Sequence, residues 1–256
     1  MSYLSFNLDP YGQSLLAFFL LVAPAGLYIL GLYEDRRGHW LIGAGLVVHA
    51  LSILERWGYT GLIPLSEKRD NISLTAFIMA AVLLYLRVRL KPKDLSLFSL
   101  PIITVLIFIA IGQRTMDSIT PFMQTPWFYL HVLFYFSSYA FFGIGAAAAL
   151  QYLLSGETAQ EGLSYRLASA GWVILTISLF FGSIWFYLAY GTYWLWTSKE
   201  LWITITWLSF GLYLHARITL GLRGRGAASL CVAAYAIALF TYFGVGTVIK
   251  APPTQF

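Results

Sequence analysis

The chain has 256 residues, 59% of them hydrophobic and 11% charged, with a formal net charge of +5 and a mean hydropathy of +0.73. That balance excludes an ordinary water-soluble domain, in which apolar residues make up about 45–50%. The positive charge reads as a topology signal with some attraction to anionic membrane lipid, and nothing in it suggests nucleic-acid binding.

A helix needs ~20 mostly apolar residues to cross a bilayer, and eight runs qualify: roughly 14–33, 40–57, 72–90, 95–112, 127–154, 167–189, 201–220 and 227–249. In lipid every backbone polar group must be satisfied within the spanning structure, which leaves helices or closed barrels, and unbroken apolar runs exclude a barrel. The expected fold is all-α, a polytopic membrane helical bundle of about eight transmembrane helices. The whole chain, 1–256, reads as one integral-membrane domain.

Residues 1–13 form a short polar lead. The first apolar run follows Asp9 rather than a basic region, and no small-residue cleavage site comes after it, so it reads as a retained span. Orientation follows from the basic residues between spans. Arg36, Arg37, Arg87, Arg89, Lys91, Lys93, Arg166, Arg217, Arg223 and Arg225 fall on one side; Arg56, Lys68, Arg69, Arg114, Lys199 and Lys250 fall on the other. The first set is the larger, so it is assigned to the cytoplasm and both termini to the outside.

The second span carries His49, about nine residues beyond Trp40 and so ~13 Å in from the inner surface. An ionisable group at that depth marks a functional site or a hydrogen bond to a neighbouring helix. Spans three and four form a hairpin turned at Arg87–Asp94 with Pro92, and residues 113–126, with Pro121 and Pro126, read as an extended outer connection. His131 lies about four residues inside span five, ~6 Å from the outer interface. Gly143, Gly145 and Ala146–Ala149 form a small-residue patch suited to close helix packing. Gly156–Ser164 reads as a polar cytoplasmic linker.

The stretch Gly182–Trp207 is the densest aromatic segment, with Trp185, Tyr187, Tyr190, Tyr193, Trp194 and Trp196 around a polar tip, Thr197–Glu200, followed by Trp202 and Trp207. An interfacial aromatic belt accounts for Trp and Tyr at a membrane surface but not for so many within a dozen residues. A flat aromatic shelf suits a flat, conjugated, hydrophobic ligand such as haem, stacked by offset or edge-to-face contact. His215 follows about fourteen residues into span seven, leaving it ~9 Å from the inner surface. His49 and His215 thus sit at similar inner-leaflet depths. His39 beside Arg37 reads as a surface residue, and the lone Cys231 as a small buried apolar residue, with no CxxC motif in the chain.

Several of these segments resemble the cytochrome c assembly proteins of the CcsA/ResC/CcmC type, haem-handling membrane proteins with a tryptophan-rich signature close to WGxYWxWDPKExW. In Tyr190–Trp202, Gly191, Tyr193, Trp194, Trp196, Lys199, Glu200 and Trp202 match that signature; Tyr190, Thr197 and Ser198 stand where it has Trp, Asp and Pro. His49 with Arg56-Trp57 and Gly61…Pro64…Ser66 is similar to an HxxxxxxRW…GxxPxSN segment, after which Glu67-Lys68-Arg69-Asp70 departs from the usual asparagine and tyrosine-glutamate pattern. Trp127…His131-Val132 resembles a WxxxHV element, Tyr213-Leu214-His215-Ala216-Arg217 a YLHxR element, and Phe240–Val245 a further family segment.

The resemblance implies a multi-pass protein of a bacterial cytoplasmic membrane that moves non-covalently bound haem b to an external platform. There the haem is held for attachment to an apocytochrome c, usually beside a ResB-type partner. It implies His49 and His215 as intramembrane iron ligands, His131 as an external one, and Tyr193, Trp194, Trp196 and Trp202 as the platform. A second external histidine, expected about a dozen residues beyond Val245, is replaced by Ala251-Pro252-Pro253-Thr254. The alternative is a non-catalytic member: a b-haem subunit working with a multihaem cytochrome or quinone-oxidoreductase subunits, or a regulatory scaffold. A transporter of unrelated substrate finds no support, because no broken-helix repeat or paired intramembrane acid appears.

Overall fold

The computed structural model describes residues 15–33, 37–90, 95–113 and 121–245. The helices run in the order α1 (Leu15–Tyr33), α2 (Gly38–Thr60), α3 (Lys68–Arg89), α4 (Leu95–Ile111), a 3-10 turn (Pro121–Gln124), α5 (Pro126–Ser155), α6 (Thr158–Tyr190), α7 (Ser198–Ile218) and α8 (Gly224–Leu239), which continues as a π-helical turn over Phe240–Gly244. Five helical stretches, Gly38–Thr60, Lys68–Arg89, Pro126–Ser155, Thr158–Tyr190 and Gly224–Gly244, are long and apolar enough to cross a membrane; Phe18–Leu32 and Leu95–Ile111 are shorter apolar helices. The protein is therefore a polytopic membrane helical bundle, with no strand among the described residues. The polar lead 1–13, the turn at Lys91–Asp94, Arg114–Asp117 and Ala251–Thr254 lie outside the described residues, as do both termini.

Element boundaries follow the expected runs to within about four residues except at the start of α6 and at the end of α8, where the run expected to reach 249 gives way to extended backbone at Val245. The sequence predicts a linker over Gly156–Ser164, but only Gly156 and Glu157 break the helix. Gly156 caps α5 at φ 75°, a left-handed conformation that costs glycine little, and Glu157 is extended at the start of α6. The polar residues that follow are helical because one face of them is buried: Gln160, Leu163 and Ser164 are enclosed, and the Ser164 hydroxyl donates to the Cys231 sulfur at 3.4 Å.

The chain divides into two compact units, Met1–Gln124 and Thr125–Phe256. In the first, Tyr28 of α1 lies over Gly45 of α2 so closely that a Cβ at Gly45 would stand 2.6 Å from the ring. The Arg87 guanidinium bonds the Gly31 carbonyl at 3.1 Å and the Ser96 hydroxyl at 3.2 Å. At the other end of α2, buried Arg56 bonds Glu67 at 2.6 Å and Asp70 at 3.3 Å, which ties α2 to the start of α3. A guanidinium can serve two carboxylates at once because its donors form a rigid fork.

In the second unit α5 and α6 pack along their length. Gly171 admits the Phe142 ring, which a Cβ would meet at 2.7 Å, and Phe142 stacks on Phe210 of α7 at 3.6 Å. The alanines of α5, together with Ala227, Ala228, Cys231, Ala234 and Ala238 of α8, are buried, as close approach between helices requires. The Thr206 and Thr241 hydroxyls join α7 to the π-helical turn at 2.8 Å.

Candidate functional site

His131 stands in the second turn of α5, because Thr125 caps that helix through the Phe128 amide and Pro126 opens it. Its Nδ1 is 3.0 Å from the Ser178 carbonyl oxygen and 3.1 Å from the Ser178 hydroxyl. The same hydroxyl donates to the His131 carbonyl at 2.9 Å. A carbonyl oxygen only accepts, so Nδ1 carries the proton and Nε2 carries the lone pair. Nε2 has no hydrogen-bond partner among the described residues. That is the arrangement of a metal-binding imidazole, with one nitrogen fixed by the backbone and the other presented.

One turn beyond Ser178, Gly182 provides the space for the ring: a Cβ there would lie 2.6 Å from His131 Nδ1 and 2.8 Å from Cε1. Trp185 lies parallel to the imidazole, with ring centroids 6.2 Å apart and planes at 9°. Phe128 packs against the same tryptophan at 5.1 Å, and Tyr135 approaches the imidazole at 5.8 Å.

Gly191 ends α6 at φ 73°, and the chain from there to Thr197 forms the aromatic shelf. Tyr193 stacks on Tyr187 at 4.5 Å and 13°, while Trp194 and Trp196 meet edge to face at 6.1 Å. Trp196 is 67% exposed and holds φ 57°, a strained conformation for a bulky side chain and one that recurs at functional sites. Trp194 is half-buried against the core, yet its indole Nε1 is buried with no partner among the described residues. Trp202 sits inside α7 against Phe240 at 4.6 Å.

Not every aromatic of Gly182–Trp207 joins the shelf. Trp185 belongs to the histidine seat, and Trp207 turns back to stack on Trp172 at 5.1 Å, its indole donating to Thr176 at 2.9 Å. Among the described residues, the shelf's exposed aromatic side chains are Tyr187, Tyr190, Tyr193 and Trp196.

His49 is 0% exposed, with Nε2 bonded to the Ser73 hydroxyl at 2.9 Å and Nδ1 facing the Tyr28 hydroxyl at 3.4 Å; Phe77 packs edge-on at 5.5 Å. His215 lies three residues before the end of α7, exposed, with Nδ1 3.3 Å from the Thr219 hydroxyl. Two residues beyond His215, Arg217 is paired with Glu161 and stacked over Tyr165.

The sequence matches the cytochrome C assembly protein family over residues 65–251. The chain belongs to that family. It is 28% identical to the cytochrome c biogenesis protein CcsA of Chlamydomonas reinhardtii, over 81% of this chain and 65% of that protein, and so spans just under two thirds of its length. It is 24% identical to the CcsA of Prochlorococcus marinus strain NATL2A over 94% and 93% of the two chains, and 26% identical to that of Cyanophora paradoxa over 84% and 88%.

The family signature gains a physical meaning in this fold. Thr197 is the N-cap of α7: its hydroxyl accepts from the Glu200 amide at 3.4 Å, and the Glu200 carboxylate accepts from the Thr197 amide at 2.7 Å and the Leu195 amide at 3.0 Å. This is a capping box, in which two orphan donors are satisfied reciprocally. Asp, Pro and Glu at the positions of Thr197, Ser198 and Glu200 would occupy N-cap, N1 and N3, where each is favoured. Thr197 in place of Asp therefore preserves the cap that holds the shelf to α7. Glu200→Ala is expected to lower thermal stability by about 0.5–2 kcal/mol, whereas Thr197→Asp leaves it within ~0.5 kcal/mol; a melting curve in detergent compares them.

Proposed function

We propose that this chain binds haem and presents it at the shelf for cytochrome c biogenesis, the role named for its CcsA relatives. The observation that supports this most directly is the His131 seat, where Ser178 holds Nδ1–H and leaves the Nε2 lone pair without a protein partner. The donor set fits the group: a neutral imidazole for iron, exposed aromatic faces for a conjugated ring, and the unpartnered indole N–H of Trp194 for an acceptor at its edge. Haem is the cargo in this reading, held as non-covalent haem b and delivered to an apocytochrome c beside a ResB-type partner in a bacterial cytoplasmic membrane. The residues of this chain bind and orient it: Ser178 and Gly182 position His131, Trp185 flanks the imidazole in a parallel plane, and the capping box fixes the height of Trp194 and Trp196.

His49 and His215 are proposed as the intramembrane ligands. At His49 the contact with Tyr28 is the longer of the two, so Nδ1 is the nitrogen more readily released, with Ser73 then holding Nε2. His215 has Nε2 without a partner among the described residues.

A second reading, a b-haem subunit of an electron-transfer complex or a regulatory scaffold, is favoured by one observation. The four histidines are His39, His49, His131 and His215, and only His131 falls on the side assigned to the outside. Complementation separates the two readings. A strain lacking its own assembly protein should regain covalent cytochrome c when this chain and its native ResB-type partner are expressed together. A stable b-type spectrum without any covalent cytochrome c would instead leave the subunit or scaffold role.

A further inference from the structure

A cavity of about 230 Å³ opens in the first unit, away from the shelf. Its walls come from α1 (Leu21), the end of α2 (Ser52 to Leu54, with Arg56 and Trp57), the following loop (Ile63 to Leu65) and the start of α3 (Arg69, Asp70, Ser73 and Leu74). Most of that wall is apolar, and Leu54, Trp57 and Ile63 are exposed, so the cavity opens sideways on an apolar face rather than into a polar vestibule. Arg69 is among the lining residues, 3% exposed, and its Nη1 has no hydrogen-bond partner among the described residues. A buried donor left unmade costs about 1–3 kcal/mol, more on a charged group.

The surrounding charges determine what kind of acceptor is missing. Arg56 is bonded by both Glu67 and Asp70, a group with one negative charge in excess, and adjacent Arg69 cancels it. Among the described residues, Glu55 and Lys68, the other charged side chains of this end, are opposite in sign and do not line the cavity. The cluster is neutral before any ligand enters, so a further anion would create an uncompensated buried charge. What Arg69 lacks is a neutral oxygen acceptor. One turn further along α3, Ser73 also lines the cavity, its hydroxyl bonded to His49 Nε2, and Ser52 of α2 lines it as well. The volume falls below the roughly 300–1,000 Å³ of pockets that enclose a drug-sized molecule, which limits the occupant to a single ring or a short arm.

We propose that this cavity is a binding site for a neutral, carbonyl-bearing ring drawn from the bilayer, the quinone class, with one carbonyl accepting from Arg69 Nη1 and the apolar tail leaving past Leu54 and Trp57. The assignment is independent of haem binding at the shelf. It rests on residues of this chain that depart from the family pattern, since Arg69 falls in the stretch Glu67–Asp70 where the resemblance to relatives fades.

The test is photo-labelling of the full chain in lipid nanodiscs with an azido-benzoquinone carrying a decyl tail, followed by peptide mapping. Label should fall within residues 52–74 and be displaced by excess decyl-benzoquinone but not by palmitate. Arg69→Lys, which keeps the charge but loses the guanidinium fork, should reduce the label roughly tenfold. Should that variant fail to fold, Leu74→Trp fills the cavity with every charge in place and should abolish the label. Displacement by palmitate as readily as by the quinone would make this a carboxylate site and overturn the proposal. So would labelling that no competitor displaces, or that both variants leave unchanged.

Discussion

Arg56→Ala is expected to cost about 3–5 kcal/mol, the range found when one partner of a buried ion pair is removed and the other is left uncompensated. Here two carboxylates lose their partner at once, because Glu67 and Asp70 both bond Arg56 and all three side chains are buried. Arg69 is the remaining cation in the cluster, and its recruitment would hold the loss toward the lower end of the range. The triple change Arg56→Met, Glu67→Met, Asp70→Leu removes every charge of the triad together and should be far milder, since an apolar replacement of similar volume avoids the desolvation cost. Thermal melting in detergent compares them. A loss below about 1 kcal/mol for Arg56→Ala would place these groups in the range of exposed, water-screened pairs and contradict their burial.

Much of the fold was legible in the sequence because membrane helices need long apolar runs, and those runs mark α1 to α5 to within a few residues of each end. The start of α6 was not legible. Gln160 and Ser164 read as linker residues by polarity, yet they are buried on a packed helix face, and which polar residues a neighbouring helix will satisfy is a tertiary fact. The same distinction divides the site. His131 stands out by residue type and by its place near the end of a span. Ser178 and Gly182, which orient it, lie 47 and 51 positions away in an apolar run. Their only sequence signal is a hydroxyl and a glycine one turn apart on one helix face, and it acquires meaning only once the register of α5 against α6 is fixed. Tyr28 and Ser73 around His49 were hidden for the same reason. Thr197 shows the opposite error: read against the family signature it counts as a lost acid, whereas its position as N-cap makes Thr and Asp near equivalents.

The largest functional effect is expected at the His131 seat, because an imidazole ligand is specific in both position and tautomer. Gly182→Ala would set a methyl 2.6 Å from Nδ1, which no rotamer adjustment of a ring held by Ser178 relieves without breaking that bond. Overpacking of this kind costs about 1–3 kcal/mol, so the protein should still fold while Nε2 is displaced. His131→Gly removes the proposed ligand and leaves a ring-sized space beside Trp185 that free imidazole can enter. The decisive measurement is therefore the yield of covalent cytochrome c, by haem staining, from an assembly-deficient strain expressing His131→Gly with the native partner, grown with and without imidazole. The account predicts loss of the cytochrome without imidazole, partial recovery with it, and a b-type spectrum that depends on His49 and His215 unchanged throughout. Wild-type yield from His131→Gly in the absence of imidazole would contradict it.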